Sequence, residues 1–537
     1  MTGLVQRARQ KVKRLKKKWD AESSARRFMA LCGRKWPRTG TEKSDAVVLM
    51  GLFAHKIATY VNAHTAHALA RRTGARIEAF GIFGGTNPLV RKIYASFGAQ
   101  LALDASFAES ARAELEKQAD QIFAGLKSKW DLLDLQIDGL KFGDLLYDTY
   151  LRWFEEPTVK LDDPRLRDLL FESLFVYVAT TNYLKTRKVV GFIADDYGYH
   201  ECGIITRVLM REKVPVYIVC YGREHFLYQL FSESETGDHN YPVRWPYHHY
   251  RTMFRSMPPE EQTRCREKGR KHLESKLAGQ IDRLTLVTQT AYGESDEQIF
   301  QPSGKPRILI LLHDFIDAPH GFRWMLFPDF YEWICFLLER AADTDFEWYM
   351  KPHPGSWDAE RKTINSSNVA AIEYLLARFP KVKFLPPTVS NKQIVKEGIN
   401  AMFTMYGTGG HELTRLGIPV VNAGDNPHIA YDFNCHPRST KEYADLIARA
   451  DRLPLVADHD DIAEYVYMNY FYFRDHCSTE ANPLPPSFFA HADYEGLAAK
   501  PTGYDLVIAD QGERRDAAME KYYDEFFRAN PAVAARA

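Results

Sequence analysis

Twice along its length the chain alternates apolar, strand-like runs with helix-like segments, which restricts the fold to parallel sheets covered by helices. AVVLMGLF (46–53) reads as a buried strand, and HKIATYVNAHTAHALARRTG (55–74) as a helix stopped by Gly74. RIEAFGIF (76–83) and QLALD (100–104) are the next strands, each followed by a helix. Residues 139–187 read as mainly helical, and 188–219 as strand to Ala194, loop, helix from Cys202 and strand from Val214. A charged helix is expected near 259–278. The second set opens at PRILILLHDF (306–315), with a Trp- and Phe-rich helix over 323–341 and a strand running into EWYMKPHPG (347–355). A helix (359–379), a strand KVKFLPP (381–387) and a short helix (391–398) follow. AMFTMYGTGGHELTRLGIPVVNAG (401–424) is then strand, glycine loop, helix and strand. The expected fold class is α/β, with two Rossmann-like domains facing a cleft and ligands bound beyond the carboxyl ends of strands.

The length of 537 residues exceeds what one core normally supports, and 45% hydrophobic residues suffice for two. The expected divisions are a basic N-terminal segment (1–45), a first Rossmann-like domain (46–300), a second (301–455) and a helical tail (456–537). A formal net charge of +0 argues against a nucleic-acid binder. Seven cysteines without a CxxC pair fit reduced thiols rather than a disulfide framework or a zinc site. With no signal-peptide pattern and no run of about 18 apolar residues, a cytoplasmic protein is expected.

The N-terminus is the exception to this neutrality. Arg7, Arg9, Lys11, Lys13, Arg14, Lys16, Lys17 and Lys18 stand without an intervening acid. Val5, Ala8, Val12, Leu15 and Trp19 recur at steps of three and four, one narrow helical stripe. Such a helix over residues 4–19 suits the anionic inner-membrane surface; the plainer reading is a solvated terminus.

Three loops after strands carry unusual chemistry. In KPHPG, Lys351 and His353 follow a strand, and Pro352 and Pro354 restrict the backbone around the imidazole. In YGTGGHE, Gly407, Gly409 and Gly410 permit close backbone approach and Thr408 offers a hydroxyl. The helix expected to start near His411 would turn its N–H groups to an anion. Glu412 is placed to accept ribose hydroxyls, or is an ordinary helix-start acid. No GKS or GKT follows, so this is no Walker loop. In ADDYGYHEC, Asp195, Asp196, His200 and Glu201 crowd one strand end, with Asp196 the candidate base for an acceptor hydroxyl. The bland alternative is a solvated loop with a helix-capping acid. A fourth loop, LLHDFIDAPHG, offers His313, Asp317 and His320 as substrate contacts. The crowding in ADDYGYHEC also suits metal binding, but adjacent Asp195 and Asp196 point in different directions, against a DxD site, and the fourth loop's spacing is not a metal-finger pattern.

The order KPHP, then a Gly/Thr loop leading to HELTRLGIPVV, with DDYGYHECGIITRVLMREKVPVY upstream, resembles bacterial capsule and surface-polysaccharide glycosyltransferases of the GT-B type, Kdo-transferase-like. The resemblance covers residues 188–220 and 306–425. It implies that His353 and Pro354, then Thr408 with its flanking glycines, hold the phosphate and ribose of a nucleotide-sugar donor, a CMP-linked one among the candidates. TMYGTGG stands where a Ser-rich loop is common, and Val420 occupies the position eight after Glu412 where retaining enzymes carry a second glutamate. The resemblance further implies a metal-independent transfer without a cofactor, a donor held by the second domain and a glycan or lipid-linked acceptor held by the first. The competing readings are a sugar-nucleotide 2-epimerase, a polyol-phosphate transferase on a similar scaffold and a non-catalytic glycan-binding assembly protein.

Overall fold

The computed structural model describes residues 2–36, 44–52, 56–82, 87–194, 196–220, 226–233, 238–243, 246–280, 292–293, 298–321, 325–353, 366–456, 458–472, 475 and 503–529. Six strands form the first sheet: β1 (Ala46–Gly51), β2 (Arg76–Phe80), β3 (Gln100–Leu103), β4 (Lys188–Ala194), β5 (Val216–Cys220) and β6 (Phe226–Gln229). Their spatial order is β3-β2-β1-β4-β5-β6. The first five are parallel, and β6 joins β5 antiparallel at the edge. The second sheet contains β7 (Arg307–Leu311), β8 (Glu347–Lys351), β9 (Lys383–Phe384), β10 (Ala401–Thr404) and β11 (Val420–Asn422). It is parallel throughout, in the order β9-β8-β7-β10-β11. Both sheets are therefore doubly wound in the same sense, each reversing direction beside its first strand.

The strands were readable because helices cover both faces. β1 is buried at all six positions, hence its unbroken apolar run. The second core holds Trp333, whose indole N–H donates to the Tyr443 hydroxyl at 2.6 Å. Its helix spans Phe330–Ala341 rather than 323–341, because Asp329 is the N-cap and accepts from the Glu332 N–H at 2.7 Å. The same carboxylate accepts from Tyr147 and Thr158 of the first domain, both at 2.5 Å. The strand expected over 381–387 shrinks to Lys383–Phe384.

The two ends of the chain meet on the first domain. The helix Thr2–Lys35 lies beside the helix Gly503–Ala529, and Ala25, Phe28, Cys32, Met519, Tyr522 and Phe527 share one apolar cluster under the first sheet. Arg27 grips Asp505, and Lys35 pairs with Asp516 at 2.6 Å. Residues 247–273 pack instead with the second domain's neighbours: Tyr250, Phe254 and Leu273 share a cluster with Tyr431, Phe433 and Tyr465.

Candidate functional site

A doubly wound sheet opens a crevice where the strand order reverses. In the second sheet that point lies between β7 and β10, so the loops after Leu311 and Thr404 flank it. Lys351 ends the adjacent strand β8. His313 joins the two flanking loops: its Nε2 accepts from the Tyr406 N–H at 3.2 Å and lies 3.0 Å from Thr404 Oγ1. With Nε2 accepting, the neutral ring carries its proton on Nδ1. Phe330 stacks on the imidazole at 4.9 Å. Burial pushes His313 down to about 3, and the neighbouring His353 pushes the same way. His313 is thus a neutral ring at any ordinary pH.

Gly407 has φ +124°, and a Cβ there would sit 3.3 Å from His313 Cε1. Only glycine takes this conformation without strain. His353 is half-buried; burial lowers its imidazole, Asp314 and Asp317 oppose the shift, and Lys351 reinforces it. Lys351 is buried, donates to Asn391 Oδ1 at 2.6 Å, and is lowered to about 8 by burial, with Glu412 opposing. An ammonium short of neutralisation at a sheet's carboxyl edge is primed for an anion.

The first domain's own reversal lies between β1 and β4, and the loop after Ala194 faces the second domain. Burial pushes the Tyr199 hydroxyl up; Arg152 opposes, while Asp317, Asp196 and Asp148 add to the rise. Tyr406 is likewise raised by burial, with Asp317, Asp148 and Tyr199 contributing. Residues from both sheets therefore share one electrostatic neighbourhood. His320 fastens it: its ring Nδ1 bonds Asp148 at 2.6 Å and its Nε2 bonds the Pro328 carbonyl at 3.0 Å.

The structure brings together His313, Asp317, Lys351, His353 and Gly407. Thr408 is exposed at the helix start and makes no capping bond with its side chain. Asp196 is half-buried, and its Oδ1 accepts from the N–H groups of Tyr197 and Gly198 at 2.6 and 2.7 Å. Asp195 and Pro354 lie outside the described residues.

Several expected contacts are corrected. The helix after the glycine loop begins at Gly409, not near His411. Gly410 is glycine because of packing: a Cβ would meet His428 at 2.5 Å and Asn434 at 2.7 Å. Gly409 similarly fits against Leu311, 2.8 Å away. His411 is buried, with Nδ1 3.2 Å from His428 Nε2, so it faces the interior instead of a donor. Glu412 is 2% exposed and held by the Tyr292 hydroxyl and Lys276, which commits it to joining helices rather than accepting ribose hydroxyls. His200 is fully buried; its backbone N–H donates to Thr149 at 2.9 Å and its ring meets Trp153 edge-on at 4.7 Å. Glu201 accepts from the Ile82 N–H at 3.1 Å and braces the neighbouring strand end. Sequence reasoning missed Asn391 and Arg152, which stand in no distinctive pattern, and Tyr199, which sits uncharged among the acids and His200 of ADDYGYHEC.

No protein-family model and no curated protein matches the chain. Among solved structures, a glycosyltransferase from Rickettsia africae aligns over 79% of this chain and 94% of its own, at 11% identity and TM-score 0.26. A UDP-GlcNAc 2-epimerase from Neisseria meningitidis bound to UDP-GlcNAc aligns over 87% and 98%, at 10% identity and TM-score 0.20. Anabaena Alr3699/HepE, in complex with UDP and glucose, aligns over 88% and 99%, at 10% identity and TM-score 0.23. Overlaps this low add nothing to the architecture established by the strand order: two doubly wound α/β domains whose strand-end loops meet.

Proposed function

We propose that the chain is a glycosyltransferase of the GT-B type, moving a sugar from a nucleotide-sugar donor to a bacterial surface polysaccharide, of capsule or lipopolysaccharide. The observation that carries this reading is the gathering of Lys351, His353, His313 and Gly407 at the second sheet's reversal point, opposite the Tyr199 and Asp196 loop of the first.

In this mechanism the second domain holds the donor. The acceptor oxygen attacks the anomeric carbon while the bond from that carbon to the phosphate oxygen breaks. The departing electron pair stays on the phosphate, where the Lys351 ammonium and an N–H of His353 neutralise it. The acceptor's proton passes to Asp196, whose loop faces the donor side. The fixed Lys351 ammonium and the His353 N–H stabilise the leaving group without a metal. The buried contacts between Asp148 and His320, and between Tyr147 and Asp329, hold the two halves in register.

The test is a thermal-shift panel of CMP, UDP, GDP and their sugar conjugates, followed by turnover with the preferred donor. A specific nucleotide should raise the melting temperature, and His353→Ala should abolish transfer. An epimerase would convert the nucleotide sugar without any acceptor. A binding-only protein would keep glycan affinity in His353→Ala and show no turnover in either form.

A further inference from the structure

The helix Thr2–Lys35 runs in the same direction as Gly503–Ala529. Ser24 accepts from the Asp505 N–H at 3.0 Å, and eleven residues later in each helix Lys35 pairs with Asp516. It also runs alongside the helix Lys56–Thr73: Phe28 meets Tyr60 at 5.8 Å, and Trp36 stacks on His67 at 4.9 Å. That second helix follows β1, so its start marks the carboxyl edge of the first sheet. The pairing with Gly503–Ala529 begins at Ser24. The 22 helical residues before it, at 1.5 Å each, extend about 33 Å past that level, on the side of the sheet where substrates bind.

This projecting half is the most basic stretch of the chain, with eight cations and no acid between residues 7 and 18. Positions 5, 8, 12, 15 and 19 share one helical face and carry Val, Ala, Val, Leu and Trp. Trp19, at its base, is 64% exposed. Among the described residues no helix is long and apolar enough to cross a membrane. A basic rod with a thin apolar stripe and an interfacial indole instead fits the surface of an anionic bilayer. A nucleic-acid arm would need no such stripe.

We propose that residues 4–19 dock the protein on an anionic membrane, the helix lying along the lipid surface and the carboxyl edge of the first sheet opening alongside it. Taken with the transferase reading, on which this corollary rests, the acceptor is a glycan anchored in that bilayer. Docking brings its growing end to the first domain's loops without a diffusional search.

The experiment uses the full chain with vesicles of phosphatidylcholine alone, or of equal parts phosphatidylcholine and phosphatidylglycerol, in low and in high salt. The expected result is cosedimentation with the anionic vesicles only, weakened by salt. Replacing Lys13, Lys16, Lys17 and Lys18 by Gln should lower partitioning by up to roughly a thousandfold at low salt. Trp19→Ala should weaken it as well. Both variants should keep their melting temperature, because the changes precede the paired part of the helix. Absence of binding to anionic vesicles, equal binding by the Gln variant, or tighter binding to random-sequence duplex DNA overturns the proposal. Nucleotide-induced thermal shift, measured on the same variants, reports on the transferase reading separately.

Discussion

Asp148, on a helix of the first domain, accepts two hydrogen bonds from His320 of the second, one from ring Nδ1 at 2.6 Å and one from the backbone N–H at 3.1 Å. Burial opposes a charge on His320, but Asp148, with Asp144 and Asp329, outweighs it and raises the imidazole. Burial likewise raises the Asp148 carboxyl to about 6, with His320 pulling the other way. Both shifts have one sign: the folded protein holds these protons more tightly than the unfolded chain. The pair's contribution is thus greatest in mild acid and shrinks as pH rises through the folded value of His320. Wild type should lose more of its urea resistance than Asp148→Asn between pH 5 and pH 8. Equal pH slopes for the two proteins would refute this coupling.

Arg207 and Asp144 form a buried bidentate pair, at 2.8 and 2.6 Å. Arg207→Met strands the carboxylate and should cost about 3–5 kcal/mol. Adding Asp144→Leu should recover most of the loss, as read from denaturant midpoints.

Gly407 and Gly410 look alike in sequence and differ in what they do. Gly410→Ala forces a methyl against His428 and Asn434 and should destabilise by about 1–3 kcal/mol. Gly407→Ala, at φ +124°, should cost a similar ~1–3 kcal/mol in backbone strain while also displacing His313. Nucleotide affinity, measured well below each melting temperature, should fall for Gly407→Ala and hold for Gly410→Ala.

Lys351 is lowered to about 8 by burial, so a bound phosphate should draw a proton onto it. Nucleotide affinity should weaken as pH rises through 8 and beyond. Lys351→Met should bind weakly at every pH from 7 to 9, with a flat profile. Calorimetry across that range decides the matter.

The sheets were legible because strands buried on both faces become continuous apolar runs, as in Ala46–Gly51. That Lys351, His353, His313 and Gly407 come together was legible because all four end or follow strands of one parallel sheet, whose carboxyl ends lie side by side. Helix starts were less so: Asp329 begins its helix seven residues later than expected, held there by Tyr147 and Thr158 from a distant part of the chain. Gly410, His411 and Glu412 were misassigned for a related reason. A short motif states which residues are adjacent but not which way the helix turns them, and here they turn toward His428, Lys276 and Tyr292.

The apposition of the helices Thr2–Lys35 and Gly503–Ala529 constrains the order of events at the ribosome. Tyr504, Met519, Tyr522 and Phe527 belong to the apolar layer beneath the first sheet. The first domain therefore cannot close its core until residues 503–529, which follow the second domain along the chain, have emerged. Its nascent form must carry uncovered greasy surface while the second domain is being made, which makes it a natural client for chaperones. A stop codon before Gly503 would leave that half of the molecule permanently unsealed.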